Sequence, residues 1–289
     1  MRSGALASSQ WRSPSLSVGA DDEVECEWRP AVTESLRITL IGGPTALLEM
    51  GGARLLTDPT FDAPGSYASG TVTLTKTTMP AVAAEAIGAI DAVLLSHDQH
   101  FDNLDRSGRA FLSQVARVAT TVAGAGRLGG NARGLEPWDS IEIATPSGRT
   151  LRITATPARH GPVGIEPISG DVIGFVLAFS DEPRRAVYVS GDTVWYEGVA
   201  EVARRFDVRL AILFTGSAKP RGAFHMTMDA NDAIEAAHAF KEAAVTAIHN
   251  EGWAHFTETQ AELTQAFKAV GLGERLRLLE PGVALTLPI

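Results

Sequence analysis

Cysteine is nearly absent from this 289-residue sequence, which contains Cys26 and no other. A single cysteine excludes an intrachain disulfide and a zinc cluster built on several thiolates. No stretch approaches the roughly 18 consecutive apolar residues that a membrane-spanning helix needs. Any metal ion bound by this chain must therefore be held by histidine and carboxylate side chains.

Basic residues are in the minority, with 25 Lys and Arg against 34 Asp and Glu and a formal net charge of −9. Nucleic acids and anionic membranes both attract clustered positive charge, so neither is the expected partner. No glycine-rich phosphate loop follows a strand, which argues against a nucleotide-binding fold. We expect a small-molecule substrate, weighted toward a neutral and compact one, with no nucleic acid and no membrane span. A homodimer stays open, because two-fold dimers are the commonest oligomers of soluble proteins.

Residues 1–34 are rich in Ser, Gly, Ala and charge, and they lack the apolar core of a secretory signal. We interpret them as a flexible N-terminal extension and expect a cytoplasmic protein. Residues 35–289 then form a single domain. The whole chain is 45% hydrophobic and 20% charged, a globular balance that supplies enough apolar residues for a core.

Beyond the extension, short apolar runs alternate with turns marked by Gly and Pro. Residues 36–58 predict three strands joined by tight turns. Residues 59–80 show no convincing periodicity and predict an excursion loop long enough to cover a site. Further strands and helices follow, and residues 275–289 predict a closing hairpin. The pattern predicts an α+β fold, an αββα sandwich of two β-sheets flanked by helices.

Histidines and aspartates fall mainly where predicted strands end. The residues that end strands or lie in the loops just beyond them are His97, His100, His160, His225, His249, Asp58, Asp102 and Asp192. Strand ends on one edge of a sheet meet in space, so we expect these groups to converge. Imidazole nitrogen and carboxylate oxygen suit zinc first, with manganese or iron as alternatives, in a hydrolytic site with an open position.

The densest polar cluster is SHDQHFDNLD, residues 96–105, directly after an apolar strand. By itself such a loop also suits the N-terminal cap of a helix. With the other segments it resembles the metallo-β-lactamase superfamily, whose signature is His-x-His-x-Asp-His after a strand. The other matching segments are LLTDP (55–59), ATPARHG (155–161), VYVSGDTVW (187–195), FHMTMDANDA (224–233) and IHNEGWAHF (248–256). The chain looks closest to the branch of L-ascorbate-6-phosphate lactonase and N-acylphosphatidylethanolamine phospholipase D.

The resemblance implies a metal-ligand set, and this sequence departs from the family signature at two points. The implied ligands are His97, His100, Asp102, His160, Asp192 and His249, with Asp192 in the place of the carboxylate that bridges two ions. One extra residue lies inside the signature, so Gln99 competes with His100 for the second ligand position. Asn103 stands where the signature has its last histidine, and an amide is a weaker, neutral ligand. The number of ions, one or two, therefore stays open.

These features together predict a metal-dependent hydrolase that activates water for attack on a small ester, lactone, amide or phosphodiester. Asp102 or Asp192 is placed to orient the water, and His225 to contact substrate or stabilise an oxyanion. Asp58 and His255 are candidates for contacts that fix the ligating histidines. The alternative is a non-hydrolytic relative, either an oxidoreductase with a redox-active metal or a metal-poor binding protein.

Overall fold

The computed structural model describes residues 34–289, so the predicted extension lies outside the described residues except for Glu34. Within the described range the chain forms fifteen β-strands and seven α-helices. The strands are β1 (Ser35–Gly42), β2 (Thr45–Met50), β3 (Ala53–Thr57), β4 (Gly65–Ser69), β5 (Val72–Lys76), β6 (Ala92–Leu94), β7 (Val118–Thr121), β8 (Ala132–Leu135), β9 (Ser140–Ala144), β10 (Thr150–Pro157), β11 (Ile173–Phe179), β12 (Arg185–Val189), β13 (Asp207–Phe214), β14 (Ala244–Ile248) and β15 (Ala284–Pro288). The helices are α1 (Ala84–Ile87), α2 (Arg106–Phe111), α3 (Val122–Leu128), α4 (Glu166–Ser169), α5 (Glu197–Arg205), α6 (Ala230–Ala239) and α7 (Gln260–Ala269).

Two large mixed sheets organise these residues. The first has the strand order β15-β1-β2-β3-β6-β7-β8, and the second has the order β14-β13-β12-β11-β10-β9. Strands β3, β6 and β7 run parallel in the first sheet, and β12, β13 and β14 run parallel in the second. Strand β10 shares the direction of β12, because β11 lies antiparallel between them. The carboxyl ends of parallel neighbours meet at one edge of each sheet. The predicted polar site residues come directly after these strand ends.

The main core lies between the two sheets. Leu48 and Leu55 from the first sheet belong to one buried cluster with Phe175, Val187 and Ile212 from the second, and each is no more than 1% exposed. Burying a side chain of this size contributes roughly 1.5–3 kcal/mol. This interior fixes the two sheets against each other and so sets the relative positions of the strand ends.

Helices cover the outer face of each sheet. Val202 of α5, Ala237 of α6 and Phe267 of α7 pack on the outer face of the second sheet. Ile87 and Phe111 pack on the outer face of the first. The layer order is therefore helix, sheet, sheet, helix, and the predicted αββα sandwich is confirmed.

The predicted loop at residues 59–80 contains a hairpin, so that prediction was wrong in part. Strands β4 and β5 pair antiparallel and form a separate two-stranded sheet. Tyr67 and Leu74 are buried in a small cluster with Trp253. The hairpin is fixed by this tertiary contact, since a two-stranded ribbon alone is marginal in water.

The predicted closing hairpin at residues 275–289 is also wrong. Only its second half forms a strand, β15, which pairs antiparallel with β1. Leu276 in the first half makes a single bridge to Val245. Leu276 packs on the outer face of the second sheet, Leu279 lies in the core between the sheets, and Leu278 is exposed, so the leucines there do not follow the alternation of a strand.

None of the helices between residues 34 and 289 is both long and apolar enough to cross a lipid bilayer. The cytoplasmic location and the homodimer stay predictions from the sequence.

Candidate metal centre

The predicted site residues follow the carboxyl ends of five strands. Asp58 follows β3, His97 follows β6, His160 follows β10, Asp192 follows β12 and His249 follows β14. Asp58 and His249 have positive φ angles of 26° and 60°. A non-glycine residue in that region is strained and persists only where the surroundings hold it. Backbone hydrogen bonds do so here, from the Asp58 amide to the Leu94 carbonyl (3.1 Å) and from the His249 amide to the Gly43 carbonyl (2.8 Å).

Four of the predicted site residues bring their ligand atoms together. His97, His100, His160 and Asp192, termed here the four-residue group, each offer one atom within 4.8 Å of the others. The Nδ1 atom of His100 lies 2.9 Å from Nε2 of His97 and 3.2 Å from Nε2 of His160. Nε2 of His160 lies 3.5 Å from Oδ2 of Asp192. The structure thus brings His100 into the group.

Asp192 also faces a second set of side chains through its other oxygen. Its Oδ1 atom lies 3.4 Å from Nδ1 of His249 and accepts a hydrogen bond from the Asn103 amide at 3.2 Å. Nε2 of His249 lies 3.7 Å from Oδ2 of Asp102, which contacts Nε2 of His255 at 2.9 Å. Asp192 therefore lies between the four-residue group and a neighbouring set formed by Asp102, Asn103 and His249.

Outer contacts fix the tautomers of two histidines in the four-residue group. Nδ1 of His160 lies 2.8 Å from the Met226 carbonyl and must donate to it, which leaves a lone pair on Nε2. Nδ1 of His97 lies 2.9 Å from the Ser96 hydroxyl, which lies 2.7 Å from Oδ1 of Asp58. Since Oδ1 of Asp58 already accepts the Ser96 backbone amide at 2.9 Å, the hydroxyl also donates to it and accepts from His97. Asp58 thus acts on His97 through Ser96, not directly as predicted.

This arrangement presents bare lone pairs to one another. Nε2 of His97 and Nε2 of His160 both face Nδ1 of His100, which carries at most one proton. One of the two contacts must therefore set lone pair against lone pair, unless a cation lies between them. The arrangement fits a bound cation.

Several buried polar atoms around the group lack a hydrogen-bond partner among residues 34–289. They are Oδ2 of Asp192, Oδ1 of Asp102, Oδ1 of Asn103 and both ring nitrogens of His249. A buried polar atom without a partner costs roughly 1–3 kcal/mol, and more when it is charged. These atoms belong to the residue types that bind zinc, manganese or iron. The donor set therefore fits a divalent metal.

The four histidines at this site are neutral near pH 7. Burial lowers the pKa of His160 to about 3 and that of His249 to about 4. Burial also lowers the pKa of His97 and of His100. A neutral imidazole is the form that binds a metal ion, so these histidines need lose no proton to do so.

The buried carboxylates, in contrast, are unfavourable in their charged form. Burial raises the pKa of Asp192 well above its usual range, and the charges of Asp102 and Asp58 add to that effect. Burial also raises the pKa of Asp58 to about 8, against hydrogen bonds from Ser96. Three carboxylates buried close together are unfavourable without a compensating positive charge. A divalent ion beside Asp192 would offset this cost.

Two predicted site residues lie apart from the four-residue group. The Gln99 side chain lies against Gly170, where a Cβ atom would come within 1.8 Å of its Nε2 atom. Nε2 of His225 lies 3.1 Å from Oδ2 of Asp232, which also accepts a hydrogen bond from the Trp195 amide at 3.0 Å. Because Trp195 follows Asp192 by three residues, His225 supports that segment from outside.

A cavity of about 20 Å³ adjoins the group, room for about one water molecule. Its lining includes Val72 and Leu74 from the hairpin, and Arg221 and Met226 from the segment after β13. Sequence reasoning missed the hairpin and Met226 as parts of this site. The alternation of TVTLTK at residues 71–76 was the available signal for the hairpin.

Comparison with known proteins places the chain in a family. The sequence profile of the beta-lactamase superfamily domain matches residues 53–250, more than half of the chain. The UPF0173 protein YddR of Bacillus subtilis is 24% identical over 260 residues, which cover 87% of this chain and 100% of that protein. A UPF0173 metal-dependent hydrolase of Pelotomaculum thermopropionicum is 26% identical over 265 residues, again 87% and 100%.

A solved structure shares the fold. The isothiocyanate hydrolase from Delia radicum gut bacteria superposes with a TM-score of 0.73 at 23% identity, covering 88% of this chain and 100% of that one. This likeness agrees with the fold described above. The chain therefore belongs to the metallo-β-lactamase superfamily and is one of its metal-dependent hydrolases.

Proposed function

We propose that the four-residue group holds a divalent ion and that the chain uses it to hydrolyse a small ester, lactone, amide or phosphodiester. The observation that carries the proposal is the convergence of bare imidazole lone pairs and a buried carboxylate on one point. Such a set is costly without a cation and favourable with one. Zinc is the first candidate, and manganese or iron are alternatives, because all three accept mixed nitrogen and oxygen ligands.

A second ion position would use Asp102, His249 and the shared carboxylate of Asp192. Asn103 would contribute an amide oxygen there, in place of the family's imidazole. Because an amide is neutral and a weaker ligand, we infer that this second position binds its ion less tightly than the first. We also propose that the chain belongs to the branch of the family that contains the lactonase and phospholipase D proteins.

The bound ion would supply a Lewis acid that activates water and polarises the bond under attack. Asp102 would orient the attacking water and accept its proton at Oδ1, which has no other partner among residues 34–289. His255 holds the opposite oxygen of Asp102 at 2.9 Å and so fixes the direction of Oδ1. Val72 and Leu74 limit the water that can enter the small cavity.

His225 has a supporting role in this proposal rather than the catalytic one first expected. Its ring nitrogen contacts Asp232 at 3.1 Å and the pair holds the Trp195 backbone. The contact with Asp232 positions the segment that carries Asp192. A direct role on substrate would require the His225 ring to leave this contact.

A substrate panel tests the proposed activity. Purified protein reconstituted with zinc, manganese or iron is assayed on a lactone, a carboxylic ester, a phosphodiester and an isothiocyanate, the last because a structural neighbour is an isothiocyanate hydrolase. We expect turnover of at least one probe that a His160→Ala variant loses by at least about a hundredfold. Iron binding with oxygen consumption and no hydrolysis would instead support an oxidoreductase. Failure to bind any metal would support a binding protein.

A further inference from the structure

A second cavity, of about 370 Å³, opens beside His160. Its wall includes Val122, Arg159, Val172 and Tyr196, and it is large enough for a small organic ligand. His160 lines both this cavity and the 20 Å³ cavity at the four-residue group. A molecule in the larger cavity would therefore touch a member of that group.

Arg159 is the basic residue in the wall of this larger cavity. Its guanidinium lies over the Tyr196 ring, 4.6 Å from the ring centroid. Its Nε atom is buried and has no hydrogen-bond partner among residues 34–289. The three acidic residues of the wall, Glu136, Glu166 and Asp171, form no ion pair with it within 4.0 Å. Within the described chain, this cation contacts an aromatic ring and has no carboxylate oxygen within 4.0 Å.

The backbone of Arg159 is held independently of its side chain. Its amide donates to the Thr193 hydroxyl at 3.0 Å, and its carbonyl accepts from the Val194 amide at 3.0 Å. These partners are the first and second residues after Asp192 in the chain. A substitution that removes only the guanidinium leaves these two contacts in place.

We propose that Arg159 binds an oxyanion of the substrate, a carboxylate or a phosphate, in this second cavity. The inference rests on the proposed hydrolase function and names part of its substrate. The Tyr196 ring contacts the guanidinium without accepting a hydrogen bond from its edge, and Nε has no partner among residues 34–289. A guanidinium edge of this kind can pair with two oxygens of a carboxylate or phosphate. The anionic group lies in the larger cavity, and the bond to be cleaved lies at the four-residue group. This departs from the neutral substrate that the overall acidity favoured.

Arg221 is the competing candidate for the same task. It lines the smaller cavity, and its Nη1 atom donates to the Thr71 hydroxyl at 3.1 Å. Its donor is therefore already engaged with the hairpin, whereas Nε of Arg159 is free of described partners. The test has to separate these two arginines.

The first measurement is isothermal titration of the metal-free protein with succinate, which needs no enzymatic activity. We expect Arg159→Met to weaken succinate binding by about tenfold to a hundredfold, the range for a lost charge-assisted pair. Arg159→Lys should recover part of the affinity, since it keeps the charge without the bidentate edge. Arg152→Met removes an arginine of β10 that pairs with Glu142 on the neighbouring strand β9 and does not line the cavity. It is the matched control and should bind like wild type.

The second measurement compares hydrolysis of monomethyl succinate and dimethyl succinate by the metal-loaded enzyme. Arg159→Met should raise KM for the anionic ester by about tenfold or more and change KM for the neutral diester by less than about twofold. A merely structural role would change both esters alike.

Two results would overturn the inference: wild type that does not bind succinate, or loss of binding in Arg221→Met and not in Arg159→Met. If succinate binding depends on Arg159 while wild type cleaves neither ester, the inference stands and the choice of ester substrates falls. If wild type cleaves both esters and Arg159→Met does so unchanged, the hydrolase function stands and the inference falls.

Discussion

The Nδ1 atom of His100 lies 2.9 Å from Nε2 of His97, although three positions separate the two residues instead of the family's two. The extra residue is accommodated by turning Gln99 away toward Gly170. Gly170 has no Cβ, which leaves the room that the Gln99 amide occupies. The inserted residue thus changes which position supplies the second imidazole while the imidazole itself is kept.

His100 and Gln99 should therefore differ sharply when replaced. Loss of a residue that only hydrogen-bonds a metal ligand lowers metal affinity by about 10–100-fold. We expect His100→Ala, which removes a ligand, to lower zinc affinity by more than this. Gln99→Ala should change it by less than about threefold, because the Gln99 side chain lies outside the four-residue group. Competition titration with a chromogenic chelator measures both. Equal losses in the two variants would show that the assignment of His100 is wrong.

Asn103→His should strengthen the second ion position. The Asn103 amide donates to Asp192 at 3.2 Å, and its Oδ1 atom has no partner among the described residues. An imidazole at this position would add a stronger ligand, so we expect metal content after dialysis to rise from about one ion per chain toward two. Asn103→Ala is the control and should show no rise. Unchanged content in Asn103→His would contradict the proposed second position.

Removing one partner of the buried ion pair between Lys76 and Asp105 should be strongly destabilising. The two charges lie 3.1 Å apart with side chains 5% and 0% exposed, and they join the hairpin to the loop that carries the histidines. Asp105 also accepts backbone hydrogen bonds from Phe61, Asp62 and Gly108. We expect Asp105→Ala to lower the free energy of unfolding by about 3–5 kcal/mol, because it leaves a buried cation unpaired.

Urea denaturation of these variants checks the Lys76–Asp105 prediction. Lys76→Met should cost less than Asp105→Ala, since the backbone donors still surround the remaining carboxylate. Arg152→Met breaks the half-exposed pair with Glu142 and should cost no more than about 1 kcal/mol. If Asp105→Ala costs as little as Arg152→Met, the pair has no stabilising role.

His225 should stabilise the fold more at low pH than at high pH. The hydrogen bond to Asp232 raises the pKa of His225 above 6.5, burial opposes this, and the Asp229 charge adds to the rise while Lys219 lowers it. A histidine whose pKa is raised on folding contributes stability below its unfolded pKa and loses that contribution as the pH rises through the folded pKa. His225→Gln should therefore lower Tm more at pH 5.5 than at pH 8.5.

The pH-dependent part of this effect should be no more than about 1 kcal/mol, because solvent screens a partly exposed pair. Thermal unfolding followed by circular dichroism at both pH values measures it. An equal or larger loss of Tm for His225→Gln at pH 8.5 would contradict the assignment.

Strand ends were the part of the fold that the sequence predicted best. Apolar runs that stop at Asp58, His97, His160, Asp192 and His249 marked both the strands and the edge where they meet. The hairpin at 65–76 was missed because its stability comes from contacts with Trp253, which lies far along the chain. A local pattern of alternate Thr residues could not reveal that partner.

The site was harder to predict from the sequence than the fold, because several of its contacts exist only after folding. Sequence spacing alone could not decide between Gln99 and His100, because that choice depends on the space beside Gly170. Asp58 acts through the Ser96 hydroxyl, a relay that exists only after folding. Arg159 drew no attention beside His160, since its distinguishing feature is an unpartnered buried nitrogen. The ligand assignments themselves stay predictions.

The proposed hydrolase function depends above all on a divalent ion held by the four-residue group. The most direct test is metal content, by mass spectrometry, of wild type, His160→Ala and His238→Ala after zinc reconstitution and exhaustive dialysis. We predict at least about one ion per chain in wild type and in His238→Ala, and less than about one tenth of that in His160→Ala. Equal zinc content in wild type and His160→Ala, or none in wild type, would contradict the account.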